Sequence, residues 1–326
     1  MSKASLLLLG VLSMFFAEVF SGASTLWFLN PWGLLVTMPL YLGHAAFLFN
    51  VAVRWSRTSL RHLYFLGMMF GLYEALITKV LWHGYPDSSG PQFGTLLGVA
   101  WGEFITLVLF WHPVMSFILP LLAYEVLSGD ILDGHERLLK RSRRNLVGLL
   151  VLIVVGAVFQ SNGAKFNASV SLGSMMGTVL IIALLNRLSR GKSLQSLVLG
   201  KRGMAALILF LVILYGATTV VILPERLPTT WPPYLAIILW YLVSIGLLAI
   251  DKPSALKASS DQAHLTARDL GILAIILFCA TAFFSLVPTA SYAILLAFFI
   301  SLIGAGAVLF LGSLYRLSKT IIRAGP

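Results

Sequence analysis

Long apolar runs recur along this chain and leave few folds open to it. They cover residues 4–22, 33–53, 62–82, 94–127, 146–160, 170–187, 204–223, 233–250, 269–287 and 290–315. A helix needs about 20 apolar residues to cross a bilayer. In hydrocarbon every backbone N–H and C=O must be paired within the protein, so runs of this kind are helices unless they close into a barrel. The alternation of polar and apolar residues that a membrane barrel requires is missing from these runs. The expectation is an all-α polytopic transmembrane helix bundle of about ten spans. Composition agrees. Of 326 residues, 59% are hydrophobic and 11% charged, with a mean hydropathy of +0.93. A soluble domain carries about 25% charged residues.

Orientation follows from the basic residues of the short loops. With the N-terminus inside and ten spans alternating, all of the 23 Lys and Arg residues fall inside except Lys79, Lys165 and Arg226. Both termini are therefore expected in the cytoplasm, in the cell membrane. The net charge of +11 then reads as an orientation signal and as a contact with anionic lipid headgroups. No soluble basic domain is present, so nucleic acid is not an expected partner. The longest polar segments, 128–145 and 251–268, are only loop-sized. The first of them, a basic cytoplasmic loop, divides one integral membrane domain into a four-helix half, 1–127, and a six-helix half, 146–326.

Three smaller signals are settled quickly. Residues 1–20 resemble a signal peptide, but Glu18 and the lack of a small-residue cleavage site favour a retained helix. A single cysteine, Cys279, allows no intrachain disulfide and no multi-cysteine metal site. Asn167-Ala168-Ser169 is a glycosylation sequon too close to the membrane to be expected in use.

The two halves differ in their polar content. The last six spans have almost no ionisable residue in their middles. The first four carry Glu18, His44, Glu74, Lys79, Glu103, His112 and Glu125. An ionisable group within lipid costs about 2.5–3.5 kcal/mol on insertion scales and normally faces the bundle interior. This concentration predicts one polar site. Glu18, Glu74, Lys79 and Glu103 fall in the outer parts of their spans, His44 near the middle and Glu125 at the inner end, so the site is expected to open outward. Glu18 and Lys79 also fit an interfacial, snorkelling role.

Helix faces narrow the list. Gly67 and Gly71 form a GxxxG step, with Glu74 and Thr78 on the same face. Gly94, Gly98 and Gly102 make a longer stripe in the fourth run, and His112 falls on that face five turns later. Small-residue stripes let helices approach closely in lipid. Packing of the two stripes would turn Glu74 toward His112, while Glu103 would look elsewhere, toward the first helix and Glu18. Pro113 should kink the helix and free a carbonyl near His112. A buried glutamate beside a histidine can activate water without a metal. A zinc set of His44, Glu74 and His112 is the only one available and is not favoured. No metal or organic cofactor is expected.

The run Gly67–Lys79, GMMFGLYEALITK, followed by a span containing WHPVMSFILP, resembles archaeal membrane proteins related to the CAAX protease and bacteriocin-processing (CPBP) superfamily. Their first motif has two adjacent glutamates and, after three further residues, an arginine. Here Glu74 stands at the second glutamate, Tyr73 at the first and Thr78 at the arginine, and His112 with Ser116 resembles the later histidine motif. The resemblance covers residues 60–127. It implies an intramembrane glutamate-peptidase-like protein acting on a peptide or lipid substrate, with Glu74 as general base, His112 as its partner, and Glu103 and His44 in support. The replaced positions imply an altered or lost peptidase activity. Two other readings use the same residues: a proton-coupled transporter or lipid carrier, and a non-catalytic scaffold subunit.

Overall fold

The computed structural model describes residues 2–85, 88–189, 193–254, 258–259 and 264–324. Of the orienting basic residues, Arg190, Lys192 and Lys257 lie outside that set. The chain is mostly helical. Its first long helix, α1 (Lys3–Met14), runs on as a π-helical turn, Phe15–Val19. There follow α2 (Gly33–Arg54), α3 (Leu60–Thr78), α4 (Trp101–Ser128), α5 (Arg143–Gly163) and α6 (Ala168–Leu188). Then come α7 (Lys201–Val221), α8 (Pro232–Ile250), α9 (Ala267–Leu286) and α10 (Pro288–Ala324). Among the described residues, eight helices, α2 and α4 to α10, are long and apolar enough to cross a membrane.

Local sequence explains most helix starts. Ser59, Ser142 and Asn167 each accept a hydrogen bond from the backbone N–H three residues on, satisfying one of the orphan donors of a first turn. Asn167 of the sequon thus serves as an N-cap. Thr266 and Asp269 form a reciprocal capping box at the start of α9. The fifth and sixth spans, short by apolar content alone, each reach 21 residues by taking in polar flanks.

The fourth run departs from its expected limits. Helix begins at Trp101, not at residue 94. Gly94 and Gly98 sit in the preceding loop with φ of +70° and +73°, a left-handed backbone that glycine adopts without a Cβ clash. The three-glycine stripe is therefore not one helix face.

Helices α1 to α4 form the centre, with α3 packed on α4 and α1 on α2. Around them, α7 and α8 flank α3, α6 lies against α1, α9 joins α5 to α6, and α10 crosses α4 and α5. The outer helices expose rows of Leu, Ile, Val and Phe. That is the reverse of a water-soluble surface and suits lipid as the surrounding solvent. The contact of α3 with α4 is very close. A Cβ on Gly67 would lie 2.4 Å from Pro113 Cα, and one on Gly71 would lie 2.9 Å from Val108 Cα.

At the end of the bundle that carries the basic loops, polar side chains tie the elements together. Arg61 pairs with Asp251, its Nε 2.6 Å from Oδ2, and His62 Nε2 lies 3.1 Å from the same oxygen. Glu125 belongs here as well, 2.7 Å from His135 Nδ1, while His135 Nε2 is 3.0 Å from the Thr58 carbonyl. The two long polar loops pair as a short antiparallel ladder, β1 (Ile131–Leu132) with β2 (Ala258–Ser259), Ile131 opposite Ser259.

Candidate functional site

A cavity of about 730 Å³ lies at the opposite end of the bundle. It forms where α1, α3, α5 and α7 finish and where α2, α4 and α10 begin. Glu18, Ser24, Tyr41, Glu74 and His112 supply its polar side; Trp32, Trp111, Leu295, Leu296 and Phe299 are among its apolar walls. Its size is that of a pocket for one medium-sized organic molecule.

Glu74 and His112 stand together in it. Glu74 Oε2 is 3.2 Å from His112 Nε2, and His112 Nδ1 is 3.0 Å from Ser116 Oγ. A carboxylate oxygen and a hydroxyl oxygen flank one ring. The arrangement is satisfied when Nε2–H donates to the Glu74 carboxylate and the Ser116 hydroxyl donates to Nδ1, an assignment made from the hydrogen-bond network. Ser116 is fixed in turn, since its carbonyl accepts from Ser13 Oγ at 2.5 Å. On the other side, Glu18 accepts from Tyr41 at 2.6 Å and from Ser24 at 2.5 Å. Two polar groups therefore face each other across the cavity, Ser24–Glu18–Tyr41 on one side and Glu74–His112–Ser116 on the other.

The backbone around these groups is irregular in a systematic way. Among the described residues three π-helical segments occur, Phe15–Val19, Gly33–Thr37 and Leu107–Ile118. Each gives the cavity a wall: Glu18 from the first, Val36 and Thr37 from the second, Trp111 and His112 from the third. A π turn inserts an extra residue and rotates the side chains after it. Such turns gather at functional sites. The longest contains Pro113, which has no N–H to give to the helix ladder. Nearby, the Leu109 carbonyl accepts from the Tyr64 hydroxyl at 2.8 Å, across the α3–α4 contact.

The other expected site residues go elsewhere. His44 is buried, donates from Nδ1 to the Leu40 carbonyl at 2.8 Å, and stacks on Phe70 with 4.4 Å between ring centroids. Phe70 separates it from His112, whose ring centroid is 5.3 Å from that of Phe70. Glu103 does not meet Glu18. Its Oε1 accepts the backbone N–H of Gln92 at 2.6 Å, which pins the loop that brings Tyr85, Ser88 and Gln92 to the cavity. Among the described residues no group of three His, Cys, Asp or Glu side chains is placed to hold a metal ion. The candidate set His44, Glu74 and His112 does not converge.

Lys79 is neither snorkelling nor at the surface. It is fully buried, takes a left-handed φ of +57° after α3, and donates through Nζ to Thr219 O at 2.9 Å and to Ile222 O. It thus caps the last turn of α7, where unpaired carbonyls and the negative end of the helix dipole favour a cation. One polar site for all seven ionisable residues was too simple: three line the cavity, three serve as packing and capping groups beside it, and Glu125 lies at the far end.

A family model described as an uncharacterized membrane protein family matches residues 7–323. The chain belongs to that family. It is also similar to an uncharacterized protein of Archaeoglobus fulgidus, 38% identical over 162 residues, which cover 48% of this chain and 49% of that one. The chain thus spans about half the length of that curated relative. No solved structure matches it. The family match covers both halves of the bundle, the cavity and the basic-end ties alike.

Tyr41 and Ser24 were not among the expected site residues. Tyr41 sits one helical turn before His44, at the depth reached by Glu18, and that coincidence of depth was the available signal. The walls given by Leu295, Leu296 and Phe299 had none, since an apolar residue of α10 facing a cavity looks in sequence like one facing lipid.

Proposed function

We propose that this membrane protein is an intramembrane hydrolase of the glutamate-peptidase type, with Glu74 as general base and His112 as the group that orients it. The observation that carries this reading is the 3.2 Å contact between the two side chains on the polar side of a 730 Å³ cavity. His112 holds one oxygen of the carboxylate and leaves the other for a water molecule. Glu74 takes a proton from that water as the water oxygen bonds to an amide carbonyl carbon. The C–N bond then breaks, and the proton passes to the leaving nitrogen. General-base catalysis of this kind contributes about 10²–10⁴ in rate.

The resemblance of residues 60–127 to the CPBP superfamily is part of this reading, and the replaced motif positions fit a divergent member. Tyr73 donates to the Leu211 carbonyl at 2.5 Å, and Thr78 Oγ1 bonds back to its own helix at Glu74 O. Neither restores a second acid or a guanidinium. Glu18, from α1, brings a second carboxylate to the cavity instead. The four-helix half supplies the reacting groups, and the six-helix half closes the walls. In this proposal ten helices cross the cell membrane, α1 and α3 included, with both termini in the cytoplasm. The cavity faces outward, and the basic end lies against anionic headgroups.

The test is reconstitution into liposomes with a library of apolar peptides in heavy-oxygen water. Active protein would place the heavy isotope in new carboxyl groups, and Glu74→Gln would lower incorporation by about 10²-fold or more. Equal incorporation by both proteins would overturn the hydrolase. One observation favours a second reading, a proton-coupled carrier: two hydrogen-bonded carboxylates, Glu18 and Glu74, line the same cavity, as acidic groups along a proton path would. A substrate-driven pH change inside the liposomes, with no isotope incorporation, would select it.

A further inference from the structure

We propose that the cavity recognises an amphiphile whose polar end is a cation, an alkylammonium group seated against Glu18, and that it rejects phosphate and carboxylate headgroups. This rests on the reading of the cavity as the substrate site and adds the class of molecule that enters it.

Charge is the first argument. Among the described residues, none that lines the cavity is Lys or Arg, while two are glutamates. Lys79, between the lining residues Thr78 and Val80, is spent on the carbonyls of α7. An anionic headgroup would meet two carboxylates and no fixed countercharge. In a low-dielectric site such a like-charge encounter is strongly unfavourable.

Glu18 offers the second. Each of its oxygens accepts one hydroxyl hydrogen, from Tyr41 and from Ser24. A carboxylate has about four acceptor sites, so two are left for a ligand. Glu18 is partly accessible where it borders the cavity, and the two bonds fix its orientation. Tyr41, Tyr85, Trp32 and Trp111 bring aromatic rings to the same space, and ring faces attract cations.

The third argument concerns the tail. Tyr292 and Leu296 of α10 line the cavity and are largely exposed, Leu296 by 55%. The cavity is therefore open beside α10. A molecule entering there would keep an apolar chain against Leu295, Leu296 and Phe299 while its head reached Glu18.

The experiment uses the full-length protein in lipid nanodiscs and three probes of equal chain length: dodecylamine, dodecanol and dodecyl phosphate. Native mass spectrometry reads the probe retained per protein. Dodecylamine should be retained at least about tenfold better than dodecyl phosphate, and Glu18→Gln should lose most of that preference. A second variant, Leu296→Trp, fills the tail channel without touching the polar side and should reduce retention of the amine and the alcohol together. Equal or better retention of the phosphate, or an unchanged preference in a folded Glu18→Gln protein, would overturn the proposal. Heavy-oxygen incorporation is read on the same samples. Selective amine retention without hydrolysis sinks the hydrolase alone, whereas hydrolysis with no preference for the amine sinks this inference alone.

Discussion

Gly67 touches the backbone of Pro113, so that any side chain at position 67 would meet the Pro113 Cα at 2.4 Å. This contact and the one at Gly71 set the spacing of α3 and α4, and hence the distance between Glu74 and His112. Gly67→Ala should push the helices apart, cost about 1–3 kcal/mol, and break the Glu74–His112 bond. Thermal unfolding in detergent measures the first effect. Loss of turnover in a protein that remains folded at the assay temperature measures the second. A Gly67→Ala protein as stable and active as the parent would show that the close approach does not set the site.

Lys79 holds the end of α7 through carbonyl oxygens, without a carboxylate bonded to it. Lys79→Met keeps the length of the side chain and removes the donors. The expected loss is about 1.5–3 kcal/mol, since bonds from a charged donor are lost together. Hydrogen exchange should rise first at the last turn of α7, residues 218–222. Uniform exchange along α7 would mean that the lysine does not act as a cap.

His135 lies between two acceptors, the Glu125 carboxylate and the Thr58 carbonyl. Among the described residues, His135→Ala would leave the buried carboxylate the Leu132 N–H, at 3.3 Å, as its hydrogen-bond donor. Removing one partner of a buried pair costs about 3–5 kcal/mol. The double variant Glu125→Leu with His135→Leu should recover part of that loss, because it removes both polar groups. A double-mutant cycle in urea measures the coupling. Additive losses would show the pair to be uncoupled.

The proposed orientation makes a direct prediction. In a Cys279→Ser background, Ser89→Cys in the loop beside the cavity should react with a membrane-impermeant thiol reagent in intact cells. Asp133→Cys in the loop at the basic end should react only after permeabilisation. Both positions are exposed, so access to reagent is set by the membrane. The reverse pattern would place the cavity on the cytoplasmic side.

Much of the helical layout was legible because lipid imposes a length and a polarity on every crossing segment. Residues 170–187 against Ala168–Leu188 is one example. What could not be read was whether a glycine lies in a helix or in a loop. Gly94 and Gly98 keep helical spacing with Gly102, yet their positive φ places them outside α4. The meeting of Glu74 and His112 was expected from two stripes, and only that of Gly67 and Gly71 lies wholly in a helix; the one that placed His112 is split between loop and helix. The π turns were hidden, because nothing in FFAEV or GLLVT distinguishes an i→i+5 bond from an i→i+4 bond. So were the fates of Glu103 and Lys79, whose partners are backbone groups with no signature in sequence.

The ladder between residues 131–132 and 258–259, with the Asp251 cluster beside it, fastens distant parts of the chain at the basic end of the bundle. At the cavity end the clasp is lighter, the Lys79 ammonium on the carbonyls of α7. Any widening that moves α3 from α7 would have to open that clasp first, and a small rotation about the riveted end would then be magnified along helices of about 30 Å into a gap at the far one.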